Sequence, residues 1–269
     1  MRYKLICLDV DGTLLNDEKR VPEPVKESLA RAHDMGIEIA LITGRMPAAT
    51  ELVEKELSIP CIKACNAGTY ILQKDRCIHS KHLPCEAARQ IHDGFLAKDG
   101  VPLWIFEGRK WYVTGVDAFV ERESRIIHYE PGIREVEALE KEWREKGLGP
   151  NKLLIAAAPE VICRIQGEMR DARLSGVDMA RSADIYLEIF PQGATKGAAV
   201  EAMCEKLSIR PEETIAFGDQ ELDIPMLKKA GTAVAMENGI EEIRKLADFV
   251  TKSNNEAGVA FALDRYLFS

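Results

Sequence analysis

Residues 5–15 read LICLDVDGTLL, and the fold is decided by the order in which that stretch changes character. Lys4–Leu8 is a short apolar run that stops abruptly at Asp9. A continuous apolar run of this length, bounded by turn residues, reads as a strand buried on both faces. Downstream, Glu23–Met35 reads as a helix, with Pro22 and Pro24 at its start and Gly36 at its end. Ile37–Ile42 is a second apolar strand, closing in Thr43-Gly44-Arg45. A helix from Pro47 to Leu57 and a strand at Cys61–Cys65 follow. Strand, helix, strand, helix, strand predicts a parallel sheet with right-handed crossovers. Such a sheet binds its ligand at the carboxyl ends of its strands, where Asp9 and Thr43 sit.

The middle of the chain has another rhythm. Residues 69–73 and 76–81 read as a hairpin around Lys74-Asp75, and 85–98 as a helix. A second hairpin is expected around Glu107-Gly108, helices over 117–128 and 134–146, and a strand over 152–157. A helix at 159–172 and strands at 175–180 and 185–190 complete an antiparallel α+β pattern. The alternating pattern returns at Thr195–Leu207 (helix), Thr214–Phe217 (strand) and Leu222–Lys229 (helix), then strands at 232–235 and 248–250 and a helix over 256–267. The expected fold class is α/β: a doubly wound parallel-sheet core in residues 1–82 and 191–269, split by an inserted α+β domain at 83–190.

Composition narrows the function. The 269 residues are 46% hydrophobic and 30% charged, which is a globular balance. Lys and Arg number 36 against 44 Asp and Glu, a net charge of -8. Nucleic acid and anionic membrane surfaces favour the opposite sign. No apolar run approaches the roughly 20 residues of a spanning helix. Only four apolar residues follow Arg2 and Lys4, too few for a secretory signal. Seven cysteines without a CxxC pair fit reduced thiols in a cytoplasmic protein. The oligomeric state is left open.

The chemistry-bearing residues cluster at predicted strand ends and helix starts. Asp9 and Asp11 are two apart in an extended segment and point the same way. Such a pair can divide labour between nucleophile or metal ligand and general acid/base. The Thr43 hydroxyl and the N–H groups around Gly44 can hold a phosphate, and Arg45 can pair with an anion. Lys196 opens a helix, where a cation opposes the macrodipole unless an anion sits there too. Asp219 ends a strand and can complete a Mg²⁺ site, since Mg²⁺ takes one or two carboxylates beside substrate phosphate. Asp223 can cap the next helix, steady Lys196 or hold a metal-bound water.

These residues resemble the haloacid dehalogenase superfamily of phosphohydrolases. The resemblance rests on DVDGTLL at 9–15, LITGR at 41–45, TKG at 195–197 and GDQELD at 218–223. EIFPQGATK at 188–196, DIPML at 223–227 and ADFVTKSNNEAGVA at 247–260 are similar to the Cof-type subfamily, which carries a large C2-type (IIB) α/β cap. The resemblance implies that Asp9 attacks phosphorus and becomes an aspartyl phosphate, while Asp11 protonates the leaving oxygen and then activates water. It implies Mg²⁺ held by Asp9, Asp219 and the Asp11 carbonyl, phosphate gripped by Thr43, Gly44 and Lys196, and Asp223 orienting that set. Arg45 and Asn66 are candidate substrate-binding residues. The implied substrate is a small phosphorylated metabolite, whose non-phosphate part the cap reads.

Three positions depart from the family pattern. Leu222 stands where Asn is usual, Asn66-Ala67-Gly68 replaces Asn-Gly-Ala, and Met236-Glu237-Asn238 replaces Met-Gly-Asn. The Leu222 and 66–68 changes motivate a second reading, a phosphate-ligand binding or regulatory protein with vestigial catalysis. A phosphomutase, sharing the acid pair, is a third.

Overall fold

Strand β1 (Leu5–Leu8) has no exposed residue, and its side chains divide strictly by parity. Ile6 and Leu8 enter one apolar cluster; Leu5 and Cys7 enter another on the opposite face. A central parallel strand covered on both faces needs this unbroken apolar run. The computed structural model describes residues 2–268. It divides into two compact units, Met1–His79 with Thr195–Ser269 and, inserted between them, Ser80–Ala194.

In the first unit β1 leads through α1 (Glu23–Asp34) to β2 (Glu38–Ile42), then through α2 (Pro47–Leu57) to β3 (Ile62–Cys65). Helix α1 buries Val25, Leu29 and Ala32, spaced by four and three as one helical face requires. Full burial of an aliphatic side chain of this kind contributes about 1.5–3 kcal/mol. Strands β4 (Tyr70–Gln73) and β5 (Arg76–Ser80) extend the same sheet, β4 running antiparallel to β3.

The inserted unit begins with α3 (Ala87–Ile91), β6 (Leu103–Glu107), β7 (Lys110–Val113) and α4 (Ala118–Ile127). It continues with β8 (Gly132–Ile133), α5 (Val136–Lys146), β9 (Lys152–Ala156), α6 (Pro159–Ala172), β10 (Val177–Ala183) and β11 (Tyr186–Pro191). Its six strands lie in the order β10-β11-β9-β6-β7-β8, antiparallel except for β7 with β8. Helices α3, α5 and α6 cover one face, over Leu103, Ile105, Leu153, Ile155, Leu187 and Ile189. On the other face Trp104 and Trp111 pack with ring centroids 5.1 Å apart. Packing thus accounts for these two tryptophans.

The chain returns through α7 (Lys196–Leu207), β12 (Thr214–Gly218), α8 (Ile224–Lys229), β13 (Thr232–Ala235), α9 (Glu241–Leu246), β14 (Phe249–Val250) and α10 (Gly258–Leu263). The core sheet order is β14-β13-β12-β1-β2-β3-β4-β5, with the six strands from β14 to β3 parallel. From β1 the chain winds one way to β2 and β3; from β12 it winds the other way to β13 and β14. The winding therefore reverses between β1 and β12, and a crevice opens at the carboxyl ends of such a pair.

Some local expectations change. The predicted helix over 85–98 is regular only from Ala87 to Ile91 and then widens over His92–Leu96. Ile91 and Leu96 are both fully buried, and a regular helix would turn residues five apart to different faces. Helix α9 escapes sequence reading because Ile243 is its one buried residue. The terminal helix stops at Leu263 and gives way to a wider turn over Asp264–Phe268.

Candidate active site

Asp9 directly follows β1 and Asp219 directly follows β12, so the sheet reversal brings them to one place. Lys196, the first residue of α7, pairs with both Asp9 and Asp223. Thr195 caps that helix, accepting from the Ala198 N–H at 3.1 Å. The second oxygen of Asp223 accepts the backbone N–H groups of Asp219 (3.0 Å) and Gln220 (2.9 Å). Asp223 thereby ties the end of β12 to the start of α7. Asp9, Asp219, Asp223 and Lys196 are all more than nine-tenths buried.

The electrostatics follow from that count. Three buried carboxylates share one buried ammonium, leaving two negative charges in excess. Burial pushes Asp9 well above the usual carboxylate range; Lys196 opposes this, and Asp223 and Asp219 reinforce it. Burial also raises Asp219, against a hydrogen bond from Thr13. For Lys196 burial disfavours the charge, but Asp9 and Asp223 outweigh it and hold the ammonium above the ordinary lysine value.

Asp11 is different. Its side chain is 42% exposed. Arg45 grips it with two bonds, from Nε at 2.8 Å and Nη2 at 2.7 Å, and Lys19 adds one at 3.1 Å. Burial raises its pKa, but these bonds outweigh that and hold it below the ordinary carboxylate value. Gly12 has φ +86°, and a Cβ there would collide with the Asp219 carboxylate, so only glycine fits between the two acids. Thr43 is buried, and its hydroxyl oxygen accepts the Arg45 N–H at 3.2 Å. That leaves the hydroxyl proton free to donate.

Among the described residues, the oxygens of Asp9, Asp219 and Asp223 come within 4.8 Å of one another, close enough to share a cation. Asp223 already has one oxygen on two N–H groups and the other on Lys196. Asp219 meets only the neutral side chains of Thr13 and Gln220, which a cation can displace more readily than an ammonium and two backbone N–H groups, so Asp219, with Asp9, is the better direct ligand. An all-oxygen donor set with two uncompensated charges fits a hard divalent cation.

Asp9, Lys196, Asp223 and Asp219 thus form one hydrogen-bonded group, and Asp11, Arg45 and Thr43 a second, both at the carboxyl edge of the core sheet. Arg45, expected to meet substrate, meets Asp11. Asn66 is fully buried and its amide touches no polar partner. Several contributors carry no role in the sequence reading. Thr13 donates to Asp219 at 2.7 Å, and Gln220 Nε2 to the other oxygen at 3.0 Å. Asn238 Nδ2 donates to the Gly12 carbonyl at 2.8 Å and steadies the Asp11 loop. Each is a polar residue inside or beside a quoted motif, which is the one signal that points to it.

A family model for haloacid dehalogenase-like hydrolases matches residues 6–263. The chain belongs to that family. Within it, the chain is a Cof-type phosphohydrolase. YxeH of Bacillus subtilis is 30% identical over 272 residues, covering 97% of each chain. The 5-amino-6-(5-phospho-D-ribitylamino)uracil phosphatase YwtE of the same organism is 28% identical over 284 residues, covering 98% of each. The crystal structure of TM0651 from Thermotoga maritima superposes with a TM-score of 0.85 at 27% identity, covering 98% of this chain and 97% of that one. Among the described residues no helix is long and apolar enough to cross a membrane.

Proposed function

We propose that this hydrolase is a Mg²⁺-dependent phosphatase of small phosphate monoesters, working through an aspartyl phosphate on Asp9. The observation that carries the reading is the charge excess of the buried cluster: three acids, two of them at adjacent strand ends, against one ammonium, which leaves room in the charge count for a divalent cation. Asp9 and Asp219, with the Asp11 carbonyl, would hold Mg²⁺, which supplies positive charge against the phosphoryl oxygens.

In the first half-reaction an Asp9 oxygen attacks phosphorus. The bond to the leaving oxygen breaks, and that oxygen takes a proton from Asp11. In the second, water attacks the aspartyl phosphate and gives its proton to Asp11, releasing inorganic phosphate and restoring Asp9. The transferring group carries spread negative charge, so positioning and cationic stabilisation do most of the work. Lys196 and the Thr43 hydroxyl, with the N–H groups about Gly44, bind its oxygens. Asp223 keeps Lys196 aimed. The Asp11 carboxylate held by Arg45 and Lys19 is the form that accepts a proton from water. An incoming phosphate dianion competes for the same two cations, which frees Asp11 to carry a proton. Arg45 thus meets substrate by leaving Asp11.

The substrate class is a small ester such as a sugar phosphate, nucleotide or phosphorylated cofactor. The name of YwtE, a relative matched over nearly its whole length, supports that range. The test is phosphate release from a panel of such esters, with and without Mg²⁺, beside Asp9→Asn. Release should need Mg²⁺ and fall by about 10⁴-fold or more in the variant, as loss of a nucleophile does. An undiminished rate in folded Asp9→Asn would overturn the mechanism.

A further inference from the structure

The segment joining β3 to β4 adopts a backbone that side chains avoid. Asn66, Ala67 and Gly68 have φ of +52°, +57° and +89°, three left-handed residues in succession. Glycine takes this conformation freely and asparagine tolerates it, whereas alanine takes it at a steric cost. A chain holds such a conformation where its surroundings over-determine it.

Those surroundings are two walls of the site. On one side the Asn66 N–H donates to the Arg45 carbonyl at 2.9 Å and the Ala67 N–H to the Thr43 carbonyl at 2.8 Å. On the other side Gly68 lies against α7. A Cβ on it would stand 2.5 Å from the Ala199 Cβ and 3.4 Å from the Thr195 carbonyl oxygen. Thr195 caps the helix whose first residue is Lys196. The left-handed turn is thus wedged between the loop that carries Thr43 and the helix end that carries Lys196.

A second observation points the same way. Asn66 is 0% exposed, and neither atom of its amide has a partner. An unmet buried donor and acceptor destabilise a fold. Glycine would take the same φ without that cost. Local rules broken together, beside the chemistry, are the mark of a segment kept for function rather than stability.

We infer that the Asn66-Ala67-Gly68 turn is a positioning element of the phosphate site, setting the spacing between the Thr43–Arg45 loop and the start of α7. The inference rests on the phosphatase reading above and deepens it. Its residues act through Thr43 and Lys196, not by touching substrate.

The experiment compares Ala67→Gly with Ala67→Val. Glycine keeps the N–H and the left-handed φ; valine, branched at Cβ, keeps the N–H and resists the φ. Binding of inorganic phosphate in the presence of Mg²⁺ is measured by calorimetry, with KM, kcat and melting temperature alongside. Ala67→Val should bind phosphate about tenfold more weakly, the scale of one hydrogen bond to a charged group. Its KM should rise in parallel and its kcat change less, because a group that grips ground state and transition state alike acts on KM. Ala67→Gly should match the parent chain in both. Should Ala67→Val not fold, Ala199→Val presses on Gly68 from α7 and should weaken phosphate to the same degree. A lowered melting temperature with phosphate affinity within about twofold of the parent would reduce the turn to a structural role and overturn the inference. Equal loss in Ala67→Gly would overturn it too. A parent chain that binds no phosphate would remove the phosphatase reading and this inference together. A parent that binds it, with an Ala67→Val that binds it equally, removes this inference alone.

Discussion

Each unit of this protein buries a lysine against carboxylates, and the two burials differ in their arithmetic. In the inserted unit Lys152 of β9 meets Glu188 of β11 at 3.3 Å, with side chains only 4% and 9% exposed. The Lys152 ammonium also lies 4.8 Å from the centre of the Phe106 ring. The pair brings together one charge of each sign. In the core Lys196 answers Asp9 and Asp223 while Asp219 stands beside them. A balanced buried pair completes itself with protein atoms. The core cluster cannot, and burial accordingly pushes Asp9 and Asp219 toward their neutral forms. Buried charge is therefore no sign of function by itself; an uncompensated remainder is.

The contrast breaks most visibly if the insert pair is halved. Lys152→Met leaves Glu188 buried without its ammonium and should cost about 3–5 kcal/mol of unfolding free energy in urea. Lys152→Met with Glu188→Leu removes both charges and should recover most of that loss, as apolar replacements of buried pairs do. A single variant within about 1 kcal/mol of the parent would show that this pair is solvated and the comparison misdrawn.

The core should respond in the reverse sense. Removing a carboxylate there relieves the excess, so Asp219→Asn should melt higher than the parent when both are kept in chelator. Added Mg²⁺ should then stabilise the parent by about 2.7 kcal/mol at a hundred times its dissociation constant, and the variant by far less. Equal Mg²⁺ stabilisation of the two proteins would remove Asp219 from the metal site. A variant less stable than the parent in chelator would mean that Thr13 and Gln220 already satisfy the Asp219 charge.

What could be read before any coordinates were known is what short stretches encode. The apolar run before Asp9, the strand ending at Thr43 and the helix opening at Lys196 are each a local change of pattern, and together they located the acids, the threonine and the lysine on one sheet edge. The fold class was legible for the same reason, since alternating strands and helices are a one-dimensional signal. The contacts that tune the site are not. Thr13 meets Asp219 across 206 residues and Asn238 meets Gly12 across 226, pairings that only the completed sheet order determines. Arg45 could be read as an anion partner, but not that the anion in reach is Asp11. Asn66 could be read as polar and near the site, but not that three successive left-handed residues would turn its amide into the protein.

The smallest expected effect concerns the departure at Leu222. This residue lies in the turn Glu221–Asp223, 40% exposed, immediately before buried Asp223. An exposed leucine beside the proposed phosphate site supplies neither a donor nor useful burial. If the position faces the phosphoryl group, Leu222→Asn adds a hydrogen-bond donor there. A buried bond to a charged group is worth about 1.5–3 kcal/mol. Solvent access should trim this to no more than about tenfold in affinity, or ~1.4 kcal/mol. The gain should appear as a lower KM with kcat nearly unchanged, since the new bond would hold ground state and transition state alike. Stability should move by less than about 0.5 kcal/mol, as surface substitutions do. A KM that does not move, with folding intact, would mean that the turn presents this side chain away from the phosphate. The grip would then lie wholly with Thr43, the N–H groups about Gly44, and Lys196, and the departure at 222 would cost the enzyme nothing.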